Sequence, residues 1–247
     1  MAKPPMCKNR STVEIDRTFS LEEIKRETVS CRRCPRLVAW REDVAKIPPK
    51  RHTGETYWAA PVPSLGEADA RLILVGLAPA AHGSNRTGRM FTGDRSGEWL
   101  FRAMWKAGFA TQPNATHRGD GFELRGAYIA ATCHCAPPQN KPLPSEIANC
   151  RPFLLRELEI LVPPVRPKPI VFLGLGKIGF DACYESARDA GLATIPRPKF
   201  GHGAEAKLGE NLWLLGTYHP SQQNTFTGKL TEAMLDAIFA RVHEILD

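Results

Sequence analysis

Four short apolar runs, each followed by a helical pattern, set the tightest limit on what this chain can fold into. Arg71–Gly76 (RLILVG) precedes a helix expected from about Gly97 to Ala107, and Ala127–Thr132 (AYIAAT) precedes one near Ser145–Leu161. Pro169–Gly174 (PIVFLG) precedes a helix from Ile178 to Ala190, and Asn211–Tyr218 (NLWLLGTY) precedes the last, Leu230–Leu246. Strands alternating with helices argue for βαβ units, hence a mainly parallel sheet covered on both faces. In such sheets ligands bind beyond the carboxyl ends of the strands. Three segments fall at that edge: the loop after Gly76, CHCAPPQNKP (133–142) and YHPSQQN (218–224).

At 247 residues the chain suits one large domain or two small ones. It has no run of about 18 apolar residues, so no membrane span is expected. The first residues, MAKPPMCKNRSTVEIDRTF, lack the apolar core of a secretory signal, and a cytoplasmic location is expected. Residues 1–20 read as a disordered tail, and helix is expected from around Ser20, where Glu23 completes a capping-box pattern. From Ile47 to Gly66 the chain is rich in Pro and Gly and reads as an ordered loop. An excess of 33 Lys+Arg over 26 Asp+Glu, a net +7, suits a polyanionic partner.

Two glycine motifs invite a nucleotide reading, and both fall short of it. Gly83–Met90 (GSNRTGRM) approaches a phosphate-binding loop, but Arg89 replaces its lysine and Met90 cannot supply the magnesium-binding hydroxyl. Gly174–Gly179 (GLGKIG) matches a dinucleotide fingerprint, but LATIPRPKF downstream offers no acid for a ribose. A tight strand-to-helix turn is the better account of those glycines. No nucleotide cofactor is expected.

Seven cysteines in a cytoplasmic chain favour metal or redox use over disulfides. Cys31 and Cys34 form C-x-x-C, and Cys135 and Cys150 could complete four thiolates, fit for a [4Fe–4S] cluster or structural zinc. Spacing alone does not choose between them. Cys133 reads as a buried residue outside that set, Cys183 as a core thiol, and Cys7 as part of the tail. His219, directly after an apolar strand, projects toward the cleft. Ser96 reads as the N-cap of the helix beginning at Gly97, with Asp94 just before it. The field of a helix N-terminus favours a carboxylate there, lowers its pKa and keeps it charged.

Taken together, GLAPAAHGSNRTGRMFTGDRSG (76–97), CAPPQNKPLPSEIANC (135–150), YHPSQQNTFTGKLT (218–231) and the N-terminal C-x-x-C resemble the uracil-DNA glycosylase superfamily. The likeness is to its fifth family, the type-b enzymes with an iron–sulfur cluster, and spans the chain from about residue 21. The resemblance implies one α/β domain over 21–247, a three-layer α/β/α sandwich around a central four-stranded, mainly parallel sheet. It also implies a [4Fe–4S] cluster on Cys31, Cys34, Cys135 and Cys150. The activity implied is that of a monofunctional DNA N-glycosylase. Such an enzyme hydrolyses the N-glycosidic bond of uracil in double-stranded DNA, and of other deaminated bases such as hypoxanthine, leaving an abasic site. A monomer is expected.

One departure shifts attention within the site. Better-known members place Asp, Asn or Glu in the first motif, where GLAPA offers only Leu77 and Ala78. Asp94 is the acidic position assigned to catalysis in this family. His219 is expected to donate to the departing base. Backbone N–H groups around Leu77, Ala78 and Pro79 would meet the base carbonyls, Phe91 would stack on the base, and Asn140 would be a second polar contact. Ser221, Gln222, Gln223 and Asn224 are expected to enter the minor groove, and Arg86, Arg89 and Lys229 to meet phosphates. The competing expectation is an iron–sulfur nucleic-acid-binding protein without glycosylase activity.

Overall fold

Alternate residues of a strand face opposite sides of a sheet, and here that alternation sorts the core into two clusters. The computed structural model describes residues 20–247. The expected disordered tail lies outside them, apart from Ser20, which is ordered as a helix cap; Cys7 lies outside them too. The elements are α1 (Leu21–Ser30), α2 (Pro35–Lys46), β1 (Leu65–Gly66), β2 (Leu72–Gly76), α3 (Ser84–Thr87), α4 (Arg95–Lys106) and β3 (Ala127–Ala131). There follow α5 (Pro144–Leu161), β4 (Ile170–Leu175), α6 (Gly176–Asp189), β5 (Glu205–Gly209), β6 (Leu212–Thr217), α7 (Gln222–Phe226) and α8 (Glu232–Leu246). At the first helix the capping box forms as the sequence predicts. Ser20 Oγ accepts from Glu23 N–H at 3.2 Å, and Glu23 Oε2 accepts from Ser20 N–H at 2.7 Å.

The four expected strands pair in parallel in the order β3-β2-β4-β6. Antiparallel β1 and β5 extend the sheet to six strands at its two edges. Neither carries an apolar run: β1 has two residues, and β5 (EAKLG) is polar and only partly covered. Leu72 and Leu74 of β2 face Leu100, Phe101 and Met104 of α4 and Leu235 and Phe239 of α8. Ile73 and Val75 face Ile24 of α1, Phe153 and Leu154 of α5 and Phe180 of α6. The result is three layers, α/β/α. Burial of each such side chain contributes about 1.5–3 kcal/mol.

The GLGKIG glycines have a packing role. A Cβ on Gly174 would stand 2.3 Å from the Phe180 Cα, and one on Gly179 would stand 2.0 Å from the Val75 carbonyl oxygen. Their bareness lets α6 lie against β4 and β2, while Gly176, at φ 79°, makes the tight strand-to-helix turn that the sequence predicts. With the helices packed this closely, the carboxyl ends of β3, β2 and, beyond β4, β6 open along the same edge of the sheet.

Candidate active site

At that edge lies a cavity of about 350 Å³, within the usual range of roughly 300–1,000 Å³ for small-molecule pockets. Leu77, Ala78, Pro79, Phe91, Asp94, Asn140 and His219 all line it, so three loops distant in sequence converge there. The wall also includes Ser84 and Gln139, which the sequence reading did not single out. Of the three residues expected to offer backbone donors, only Leu77 and Ala78 can do so. Pro79 has no N–H, and its part is shape.

Phe91 sits at φ 51°, a left-handed conformation unusual for a bulky side chain. Such strain persists only where the surroundings enforce it. Here Gly97 packs on the Phe91 backbone, since a Cβ at Gly97 would stand 1.6 Å from the Phe91 carbonyl oxygen. The Phe91 ring stacks on the His219 imidazole, centroids 5.9 Å apart, and meets Phe101 edge-on at 6.5 Å. A rigid aromatic wall results.

Asp94 itself, not Ser96, is the N-cap of α4, and the helix begins at Arg95. Its Oδ1 accepts from Gly97 N–H at 3.0 Å. Its Oδ2 crowds Gly83, where a Cβ would stand only 2.1 Å away. Gly83 therefore serves the carboxylate rather than a phosphate. Burial pushes the Asp94 carboxyl above the usual carboxylate range, outweighing the Gly97 and Ser96 N–H groups that pull it down. This corrects the expectation of a lowered pKa: removal from water exceeds the helix-end field.

His219 is also withdrawn from water, and burial lowers its pKa to about 4, so the ring is neutral at pH 7. Among the described residues nothing hydrogen-bonds its ring nitrogens. Its carbonyl accepts from Asn224 Nδ2 at 2.8 Å. Asn140 is exposed at the cavity rim at φ 57°, and Gln139 beside it is at φ 55°. Two consecutive left-handed residues aim this loop into the opening.

The outer contacts need correction. Arg89 is buried, ion-paired to Asp120 at 2.7 Å and bonded to Thr92, and its guanidinium lies over the Phe122 ring. Burial alone would raise the Asp120 carboxyl, but Arg89 and the N–H groups of Phe122, Thr116 and His117 hold it well below its usual range. Arg86 is spent on Glu55 at 2.5 Å and on the carbonyls of His82 and Gly93. Neither arginine is free for a phosphate. In the SQQN turn, Ser221 caps α7 and Asn224 braces His219, so Gln222 and Gln223 are its outward-facing members. Lys229 is exposed, with Nζ 4.8 Å above the Tyr218 ring.

Cys31 ends α1, Cys34 precedes α2, Cys135 follows β3 and Cys150 lies on α5, and all four line one small internal cavity as free thiols. Cys133 lines it too, within hydrogen-bond reach of Cys150, so the reading of it as merely buried is incomplete. Strand alternation signalled its burial but not this neighbourhood. Cys183 is buried on α6, as a core thiol. The sulfurs attract donors: Arg41 Nη1 reaches Cys135 Sγ at 2.9 Å, His134 N–H reaches Cys150 at 3.3 Å, and Asn149 Nδ2 reaches Cys34 at 3.5 Å. Among the described residues no group of three or more His, Cys, Asp or Glu is gathered tightly enough for a single metal ion. Four spread thiols, three of them receiving N–H donors and one of those from a buried guanidinium, fit an anionic thiolate cluster.

The cavity has room for a planar heterocycle, and backbone N–H groups, a neutral imidazole and a carboxylate all line it. Residues 63–243 match the family model of the uracil DNA glycosylase superfamily. A type-5 uracil-DNA glycosylase of Mycobacterium bovis is 47% identical over 215 residues, 87% of this chain and 78% of that protein. One from Thermus thermophilus is 47% identical over 206 residues, 83% of this chain and 89% of its own. A type-4 uracil-DNA glycosylase of Archaeoglobus fulgidus is 27% identical, with 82% of each covered.

Proposed function

The chain belongs to the uracil-DNA glycosylase superfamily, and on that premise we propose that it flips uracil out of DNA and hydrolyses the N-glycosidic bond, leaving an abasic site. The observation that carries this reading is the convergence of Asp94 and His219 on one cavity with an aromatic wall. A base within a duplex is out of reach, so the nucleotide must be extruded at a cost of a few kcal/mol. Gln222 and Gln223 would enter the minor groove and fill the space it leaves, with Lys229 on the backbone.

Cleavage builds positive charge on the sugar and negative charge on the departing base. Donors aimed at the base oxygen therefore stabilise the transition state more than the ground state. Neutral His219, with ring nitrogens unengaged, is that donor, helped by the Leu77 and Ala78 N–H groups. Asp94 in its ionised form stabilises the oxocarbenium-like sugar and orients the attacking water. Its raised pKa makes it a better base than a solvated aspartate. Asn140 supplies a polar contact at the rim. The cavity's size supports a wider range of bases, including hypoxanthine.

Cys31, Cys34, Cys135 and Cys150 would hold a [4Fe–4S] cluster, with Cys133 beside them. When bound, the cluster supplies a cross-link between the N-terminal helices and the loop carrying Asn140, and takes no part in hydrolysis. The enzyme is read as a cytoplasmic monomer, its basic charge serving DNA. Incubation with a uracil-containing duplex, followed by alkali, tests the activity. Strand breaks at the uracil position only after alkali are expected. DNA binding with no breaks at any salt concentration would favour a non-catalytic DNA-binding protein instead.

A further inference from the structure

Arg41, on α2, is only 2% exposed and is among the largest fully buried side chains. A guanidinium stays charged in a protein, and burying it without a counter-charge is strongly unfavourable. Its hydrogen bonds go to the Cys31 carbonyl at 3.4 Å and to Cys135 Sγ at 2.9 Å, and its Nε has no partner. Among the described residues none of those partners is a carboxylate. Glu42 on the same helix feels the Arg41 charge but is bonded to Arg32, and the sulfur that Arg41 reaches directly is Cys135 Sγ, in the cavity shared with Cys31, Cys34 and Cys150. The backbone of Arg41 is anchored separately: its carbonyl accepts from Asn85 Nδ2 at 3.2 Å, and the Asn85 N–H binds the Ala80 carbonyl on the pocket wall.

We propose that Arg41 is the fixed counter-charge of the iron–sulfur cluster, a positioning residue that holds Cys135 for ligation and retains the cluster by neutralising part of its negative charge. The inference rests on the cluster reading above and adds a residue outside the ligand set. A thiolate-ligated cluster is anionic, and its potential depends on net charge and on hydrogen bonds to its sulfurs. A buried cation donating to one ligand raises the reduction potential and opposes loss of iron. Because Asn85 joins α2 to the Ala80 turn, the same residue ties the cysteine corner to the base pocket.

The test compares wild-type holoprotein with Arg41→Met, which keeps the stem and removes the charge, and with Arg41→Lys, which keeps the charge. Three quantities are read: iron and sulfide per chain, the rate of iron release to a ferrous chelator, and the midpoint potential in a dithionite titration. Arg41→Met is expected to release iron about tenfold faster and to show a more negative potential. Arg41→Lys should recover most of both. An Arg41→Met protein matching wild type in both would overturn the proposal. If Arg41→Met retains no iron, Arg41→Lys decides: a loaded protein supports the counter-charge, and an equally empty one overturns it. Wild-type protein without iron and sulfide would instead remove the cluster reading itself.

Discussion

The base pocket and the cysteine corner are assembled in opposite ways. The pocket's groups are set by backbone: a helix cap fixes Asp94, Gly83 and Gly97 clear the space around it, and strained backbone at Phe91 and Asn140 aims the loops. Every fixing contact is made by the polypeptide. The corner draws on α1, α2, the end of β3 and α5, and its sulfurs take hydrogen bonds from Arg41, His134 and Asn149. Among the described residues, the buried Arg41 there has no carboxylate partner. Preorganisation by backbone suits a site that must bind and release a base, whereas donors around open sulfurs suit a group that stays.

The two regions differ most sharply at Asp94. Asp94→Ala should lower single-turnover excision by about 10³-fold and cost roughly 1 kcal/mol through the lost cap, leaving iron content unchanged. Loss of iron in this variant would mean that the two regions are not built independently. The pH–rate profile probes the same group. Because burial raises the Asp94 pKa, its reactive ionised form is lost as pH falls through a value above the ordinary carboxylate range. The acid limb should lie there, with no further break from His219 until about pH 4. A limb at or below the usual aspartate value would contradict the burial argument.

His219→Ala should cost about 10²-fold, most with the poorest leaving bases. Gly83→Ala should cost a similar factor, because its new Cβ would displace the Asp94 carboxylate. In the corner, Cys135→Ser should strip iron and sulfide and lower the melting temperature. Retention of a full cluster in Cys135→Ser would point to Cys133 as a replacement ligand. The smallest effects separate two basic residues. Arg89→Ala should cost about 3 kcal/mol of stability by removing the buried ion pair with Asp120 and leave the salt dependence of DNA binding unchanged. Lys229→Ala should leave stability unchanged and reduce the salt slope by about 1.

The sequence made the parallel strands legible because burial on both faces forces continuous apolar runs, as in LILV and IVFL. The edge strands escaped notice because β1 is too short and β5 too polar to carry a pattern. The site residues could be found from three loops at the strand ends, and Asp94 and His219 do meet there. Their electrostatics could not be read from sequence. The helix expected at Gly97 announced a lowered Asp94 pKa, but burial depends on Gly83 and the opposite wall, which only the fold brings near. Arg86 and Arg89 looked alike as basic residues in a loop. Glu55 and Asp120, 31 residues away on either side, claim them.

Asp94 acts through its charge in the pocket, beyond its service as a helix cap. Asparagine caps helices about as well as aspartate, so Asp94→Asn separates the two roles. Single-turnover excision from a uracil-containing duplex should fall by about 10³-fold, with melting temperature and DNA affinity close to wild type. A wild-type excision rate in Asp94→Asn would reduce Asp94 to a cap and contradict the account.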